Sequence, residues 1–190
     1  MWNYSENNYK KIIKEVLVTE EEIQKGINLS AEWINTNYSD KKPIIVGILK
    51  GCIPFIGAII PKLRVTHTLD FITINSFMGQ TKAVSEPQLV TDINFNVEDK
   101  EIIIIEDIID SGKTIKMVVD LLKQLGAKDV KIIALINKKE GRKIELEPDY
   151  YCFSIPLHFI IGFGLDYKGY FRNLPFIGIL SDDFINNNDL

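Results

Sequence analysis

Hydrophobic positions along the chain fall into blocks of different period, and each period predicts an element. Thr19-Glu20-Glu21-Glu22 has capping-box form, and Ile23, Ile27, Trp33 and Ile34 follow at helical spacing. A threonine that caps the N3 amide while the N3 glutamate answers its own N–H starts an amphipathic helix here. From Pro43 to Ile60 nearly every residue is apolar, but Lys50 interrupts the run, Gly47 and Gly51 flank it, and Pro54 follows. A membrane-spanning helix needs about 20 apolar residues without such breaks. The run therefore divides into a buried strand ending at Leu49, a tight turn, and a helix with Pro54 in its first turn and Pro61 as its stop.

Residues 68–75 (TLDFITIN) and 89–93 (LVTDI) are rich in β-formers. The clearest block is 101–106, EIIIIE: four successive isoleucines bounded by charge predict a strand covered on both faces, the habit of a central parallel strand. A loop is expected from Glu106, then a helix over Thr114–Leu125 closed by Gly126, then a buried strand over Val130–Ile136. Strand, helix and strand with short connections make a βαβ unit, so the fold class is α/β: a doubly wound, mostly parallel sheet flanked by helices. Short β segments at 150–154, 159–163 and 176–180, separated by Pro and Gly turns, predict a small appended β-rich lobe or sheet edge.

Composition narrows the class. A chain of 190 residues, 46% hydrophobic and 25% charged, is a globular mixture of single-domain size that needs no disulfide or structural metal. The two cysteines, Cys52 and Cys152, form no CxxC pair, and His67 and His158 lack ligand partners, so a zinc site is not expected and a reducing cytoplasm fits. The net charge of −4 supplies no basic excess for nucleic acid or anionic lipid. The polar start, MWNYSENNYKK, does not read as a secretory leader, and no membrane anchor is expected.

Ligands of open α/β sheets gather beyond the carboxyl ends of the strands. The loop there, Glu106-Asp107-Ile108-Ile109-Asp110-Ser111-Gly112-Lys113-Thr114, leads into a helix N-terminus. Free amides, the close approach that Gly112 allows, and the Ser111 and Thr114 hydroxyls would make a phosphate cradle. Glu106, Asp107 and Asp110 would repel a phosphate beside them, but they suit ribose hydroxyls, a base proton or Mg²⁺. Gly112-Lys113-Thr114 matches the end of a Walker A loop, yet Asp107 stands where its first glycine is required, so the P-loop reading fails. Lys50, alone in its apolar run, must emerge at a strand end. Lys138, with Lys139 and Arg142, reads by itself as a charged turn.

The stretch IIIIEDIIDSGKTI resembles the phosphoribosyl-diphosphate (PRPP) motif of type I phosphoribosyltransferases. With GILKG at 47–51, ALINK at 134–138, and FIIGFGLDY and YFRNLP between 159 and 175, the chain resembles their hypoxanthine-guanine branch from about Glu15 to Leu180. The resemblance implies that Glu106 and Asp107 hold the ribose hydroxyls and that Asp110 is the general acid/base at purine N7. It implies that Ser111, Gly112, Lys113 and Thr114 grip the 5′-phosphate. Lys50 and Gly51 would form the pyrophosphate turn, with a cis peptide at Leu49–Lys50, and Arg172 would reach pyrophosphate. Lys138 would donate to the purine O6, Phe159 would stack on the base, and Ile160 would offer main-chain groups. Asp166 would hold Mg²⁺ largely through water.

The same resemblance makes residues 1–40 and 150–190 the hood of a single domain. It implies hypoxanthine, guanine, PRPP and pyrophosphate as small-molecule partners, and a homodimer or homotetramer. Three positions depart from the family pattern. Ser76-Phe77 replaces the Ser-Tyr of the mobile loop and loses a phenolic hydroxyl at the pyrophosphate site. Cys52 replaces a second glycine of the pyrophosphate turn, and Ser111 replaces the common threonine. A xanthine-preferring enzyme and an RNA-binding regulator on the same fold are the competing readings, and the net −4 charge argues against the second.

Overall fold

The computed structural model describes residues 12–75, 88–91 and 93–187. The described strands are β1 (Ile13–Val18), β2 (Ile44–Leu49), β3 (Thr68–Asn75), β4 (Gln88–Thr91), β5 (Glu101–Ile109), β6 (Asp129–Asn137), β7 (Tyr150–Ser154), β8 (Ile160–Ile161) and β9 (Ile177–Leu180). The helices are α1 (Glu20–Asn37), α2 (Ile53–Ile59), α3 (Lys113–Gln124) and α4 (Asp182–Asn187). Six strands form the main sheet in the order β4-β3-β2-β5-β6-β7. β3, β2, β5, β6 and β7 run parallel, and β4 closes one edge antiparallel to β3.

The isoleucine run lies at the centre of this sheet, with Ile102 to Ile105 all 0% exposed. Successive strand residues face opposite sides. Ile103 and Ile105 therefore pack with Ile23, Ile27 and Ile34 of α1 and with Phe55, Ile56 and Ile59 of α2. Ile102 and Ile104 pack with Ile115, Val118 and Leu122 of α3. Full burial of each such side chain stabilises the fold by roughly 1.5–3 kcal/mol, so the doubly wound architecture follows from one four-residue run. The capping box at Thr19 forms as expected, with the Glu22 amide reaching the Thr19 hydroxyl and Glu22 accepting from the Thr19 N–H at 2.8 Å.

A second sheet, in the order β1-β9-β8, is antiparallel throughout. Its core is Ile161, Leu174, Phe176, Leu180 and Phe184. β1 was not expected from the sequence. Its pattern, IKEVLV, does not alternate cleanly, because its register with β9 is broken between Ile13 and Glu15 and again between Val16 and Val18. The elements grouped with the hood divide between the layers: β7 pairs with β6 in the main sheet, and α1 shares the core beneath it.

Several boundaries shift. The central strand does not end at Glu106 but continues to Ile109, because Ile108 and Ile109 keep pairing with Ile136 and Asn137 of β6. Glu106 and Asp107 thus sit on rigid strand, and the loop proper begins at Asp110. The segment expected at 159–163 is extended only over Ile160–Ile161, since Gly162, Phe163 and Gly164 all take positive φ. The 89–93 segment is a strand over Gln88–Thr91.

Candidate functional site

Three segments meet at the carboxyl ends of β2 and β5. The turn after β2 contains the cis peptide Leu49–Lys50, and Lys50 emerges exposed at the strand end, as its lone charge required. Gly51 follows, and a β-carbon there would fall 1.6 Å from Asp107 Oδ2. On the other side of the turn, a β-carbon at Gly164 would fall 2.0 Å from the Gly51 carbonyl oxygen. Glycine at both positions lets the β5 carboxylate and the 162–172 loop close on one turn. That loop is braced internally: Arg172 Nη2 lies 2.6 Å from Asp166 Oδ1, Arg172 Nη1 donates to the Gly164 carbonyl at 2.6 Å, and the Gly169 amide donates to Asp166 Oδ2 at 2.7 Å. Gly164 is a site element that sequence reading missed; its only signal was the G-F-G spacing before Leu165 and Asp166.

The carboxylates at the end of β5 lie in low dielectric. Glu106 is 7% exposed, its Oε2 has no hydrogen-bond partner, and burial, followed by the neighbouring Asp107 charge, pushes its pKa well above the usual carboxylate range. Asp107 is pushed up to about 6, mainly by burial. The Ile108 amide, which donates to Oδ1 at 2.9 Å, and the Arg172 charge oppose that rise, while Asp166 adds to it. Burial and these two acids also push the Cys52 thiol far up, so it packs as a neutral side chain.

Beyond β5 the loop turns over Asp110, Ser111 and Gly112 into α3, whose first turn holds Lys113 and Thr114. Gly112 has φ 84°, and a β-carbon there would also meet Ile144 Cγ1 at 2.8 Å and Arg142 Cδ at 2.9 Å. The Lys113 amide lies 3.4 Å from Ser111 Oγ. The turn after β6 presses equally close, since a β-carbon at Gly141 would fall 1.8 Å from Asp110 Oδ1. Gly141 and Arg142, in what looked like an ordinary charged turn, thus pack directly against the Asp110–Gly112 loop.

Lys138 follows the end of β6 and is 6% exposed. Its Nζ donates to the His158 carbonyl at 2.6 Å. Burial pushes its pKa down, and the Asp110 charge opposes that, which places both residues in one electrostatic neighbourhood. The segment it holds leads to Phe159, a residue 49% exposed whose ring meets Tyr167 edge-on at 5.6 Å between centroids. Ile160 is buried and pairs with Ile179 in the small sheet. Lys50 and Gly51 follow β2, Glu106 and Asp107 lie near the end of β5, and close approach and charge link Gly51, Asp107, Asp166 and Arg172. Lys138 reaches the charge of Asp110, which opens the loop through Thr114, and, through the His158 carbonyl, the segment of Phe159 and Ile160. Ser76 and Phe77 lie outside the described residues.

The donor set fits Mg²⁺. Glu106, Asp107 and Asp166 offer hard oxygen ligands, one of them an orphaned buried oxygen. No cluster of three metal-ligating side chains occurs among the described residues. Mg²⁺ keeps several waters and takes one or two carboxylates plus substrate oxygens, a demand that these acids can meet without such a cluster. Both Asp166 oxygens are already engaged, by Arg172 and by the Gly169 amide, so contact through water fits that residue best.

A parallel sheet with an acidic strand end, a loop leading into a helix N-terminus and a separate antiparallel lobe fit the expected class, the transferases of ribose phosphates. Residues 14–168 match the phosphoribosyl transferase domain, and the chain belongs to that family. Its curated relatives include the hypoxanthine-guanine phosphoribosyltransferase of Mycoplasma genitalium, 41% identical over 90% of this chain and 98% of that one. The enzyme of the same name from Lactococcus lactis is 42% identical over 95% of this chain and 98% of its own. Among solved structures, a hypoxanthine phosphoribosyltransferase from Staphylococcus aureus superposes with a TM-score of 0.87 at 34% identity, covering 94% of this chain and 97% of that one.

Proposed function

We propose that this protein transfers the ribosyl phosphate of PRPP to hypoxanthine or guanine, releasing pyrophosphate, in purine salvage. The observation that carries the reading is the buried Lys138 ammonium beside Asp110, next to the open ring of Phe159. An ammonium only donates, so it favours the 6-oxo group and, while still bonded to the His158 carbonyl, meets the 6-amino group of adenine donor to donor. That mismatch costs a few kcal/mol.

In this reading the Asp110–Thr114 loop holds the 5′-phosphate, and Glu106 and Asp107 accept from the ribose hydroxyls. Purine N9 attacks C1′ as the bond from C1′ to the pyrophosphate oxygen breaks, through an oxocarbenium-like ribose. Asp110 accepts the N7 proton, a contribution typically worth about 10²–10⁴-fold. The Lys50–Gly51 turn and Arg172 receive the negative charge of the departing pyrophosphate. Bound Mg²⁺, held by Asp166 through water and by substrate oxygens, would supply Lewis-acid stabilisation of that charge.

No described helix is long and apolar enough to cross a membrane. The two free thiols suit a reducing cytoplasm. The exposed Leu29 and Ile53 offer apolar surface for the homodimer or homotetramer that the family pattern implies, which sedimentation would test. The deciding experiment for function is a panel of hypoxanthine, guanine, xanthine and adenine with PRPP and Mg²⁺. Turnover of hypoxanthine or guanine with adenine rejected is expected. Comparable kcat/KM for adenine would sink the Lys138 argument, and a xanthine preference would redirect the substrate assignment.

A further inference from the structure

Three successive carbonyl groups, from the last residue of β5 into the loop after it, are all drawn to the same side by one segment of chain. The Ile109 carbonyl accepts from the Lys138 amide at 3.0 Å and from Arg142 Nη2 at 3.4 Å. The Asp110 carbonyl accepts from Arg142 Nε at 3.0 Å. The Ser111 carbonyl accepts from the Lys143 amide at 3.0 Å. Arg142 is itself fixed, because its guanidinium also donates to the Leu146 carbonyl and the Asn137 side-chain oxygen. Asn137 is held in turn by Glu147, to which it donates at 3.1 Å.

In a trans peptide the C=O and the following N–H point in opposite directions. Carbonyls 109, 110 and 111 directed at the 138–143 segment therefore turn the amides of Asp110, Ser111 and Gly112 to the far side of the loop. A row of backbone N–H groups on one face is an anion-binding concavity. The glycine at 112 permits the close seating, since Arg142 Cδ and Ile144 Cγ1 occupy the space its β-carbon would need.

We infer that Arg142 is a positioning residue: from behind the loop it aims the phosphate-facing amides without touching the substrate. The inference rests on the reading that this loop holds the 5′-phosphate. The guanidinium is suited to the task because its planar fork spans several carbonyls at once, whereas a lysine ammonium on a flexible stem does not pre-organise them. Arg142→Lys is thus expected to behave more like Arg142→Ala than like the native protein.

The test compares IMP with inosine, which lacks the 5′-phosphate, by calorimetric titration of the native protein, Arg142→Ala and Arg142→Lys. Expected is a loss of at least 10-fold in IMP affinity and a matching rise in KM for PRPP, with inosine affinity unchanged. Lys143→Pro supplies an independent variant should the arginine variants not fold. It removes the amide that holds the Ser111 carbonyl at a position whose side chain is exposed, and it should narrow the same IMP-to-inosine gap. Variants that melt earlier yet keep the native gap overturn the inference and leave Arg142 a stabilising residue only. Native protein that binds inosine as tightly as IMP would sink the 5′-phosphate reading itself, and the inference with it.

Discussion

Asp107 rests so closely on Gly51 that a β-carbon at position 51 would fall 1.6 Å from Oδ2, 2.3 Å from Cγ and 2.9 Å from Oδ1. The whole carboxyl group, not one flexible tip, would have to move, and Asp107 is a short side chain on a strand locked to β6 on both sides of it. Gly51→Ala is therefore expected to fold but to lose at least 10-fold in kcat/KM for PRPP. A variant with native kcat/KM would show that the carboxylate position is immaterial to the reaction.

The acids at the end of β5 make the ligand-free protein sensitive to pH. Asp107 titrates at about 6 when folded, against an ordinary value of 3.8. A raised acid pKa means that the folded state holds its proton more tightly than the unfolded chain does. The stability it contributes is complete below 3.8 and is lost as pH rises through about 6. Glu106 acts in the same direction. Without PRPP or divalent cation, the thermal midpoint should fall between pH 5 and pH 7.5, and Asp107→Asn should flatten that fall. An identical pH profile in the variant would refute the assignment.

Asp110→Asn should bind PRPP normally and lose a factor of about 10²–10⁴ in turnover, the range for a lost general base. Gly141→Ala probes the same group from outside, because its new methyl would fall 1.8 Å from Asp110 Oδ1. It should lower kcat while leaving the KM for PRPP near native. Normal turnover in Asp110→Asn would remove that carboxylate from proton transfer.

Lys138→Gln replaces a pure donor with a side chain that can also accept. Its kcat/KM for hypoxanthine should fall at least 10-fold while the discrimination against adenine narrows. The purine panel repeated on this variant checks both, and unchanged discrimination would place base selection elsewhere.

The central layer was legible because each signal in it is local. Four isoleucines between charges specify a doubly covered strand, and Thr19 with Glu22 specifies a helix start. The site's candidate residues were likewise recognisable from contiguous motifs. What escaped were relationships between distant segments. Nothing within EIIIIEDII says that the strand outlasts its charged residues, because Ile108 and Ile109 stay extended only by pairing with β6. β1 is marked only by its fit to β9, with two register shifts blurring the alternation. Arg142 looked like a solvated turn charge because its acceptors are main-chain oxygens, which no side-chain pattern reveals.

The small sheet joins the earliest described strand to the last, with Ile13 opposite Leu180 and Val18 opposite Ile177, and β9 lies between β1 and β8. The lobe therefore forms only when strands far apart in the sequence meet, a pairing with a high loop-closure cost. Ile160 pairs with β9 and the Phe159 carbonyl accepts from the Leu180 amide, so the setting of both depends on that closure. Local opening of this small sheet would therefore disturb the Phe159 side of the candidate site while leaving the end of β5, held in the main sheet, in place.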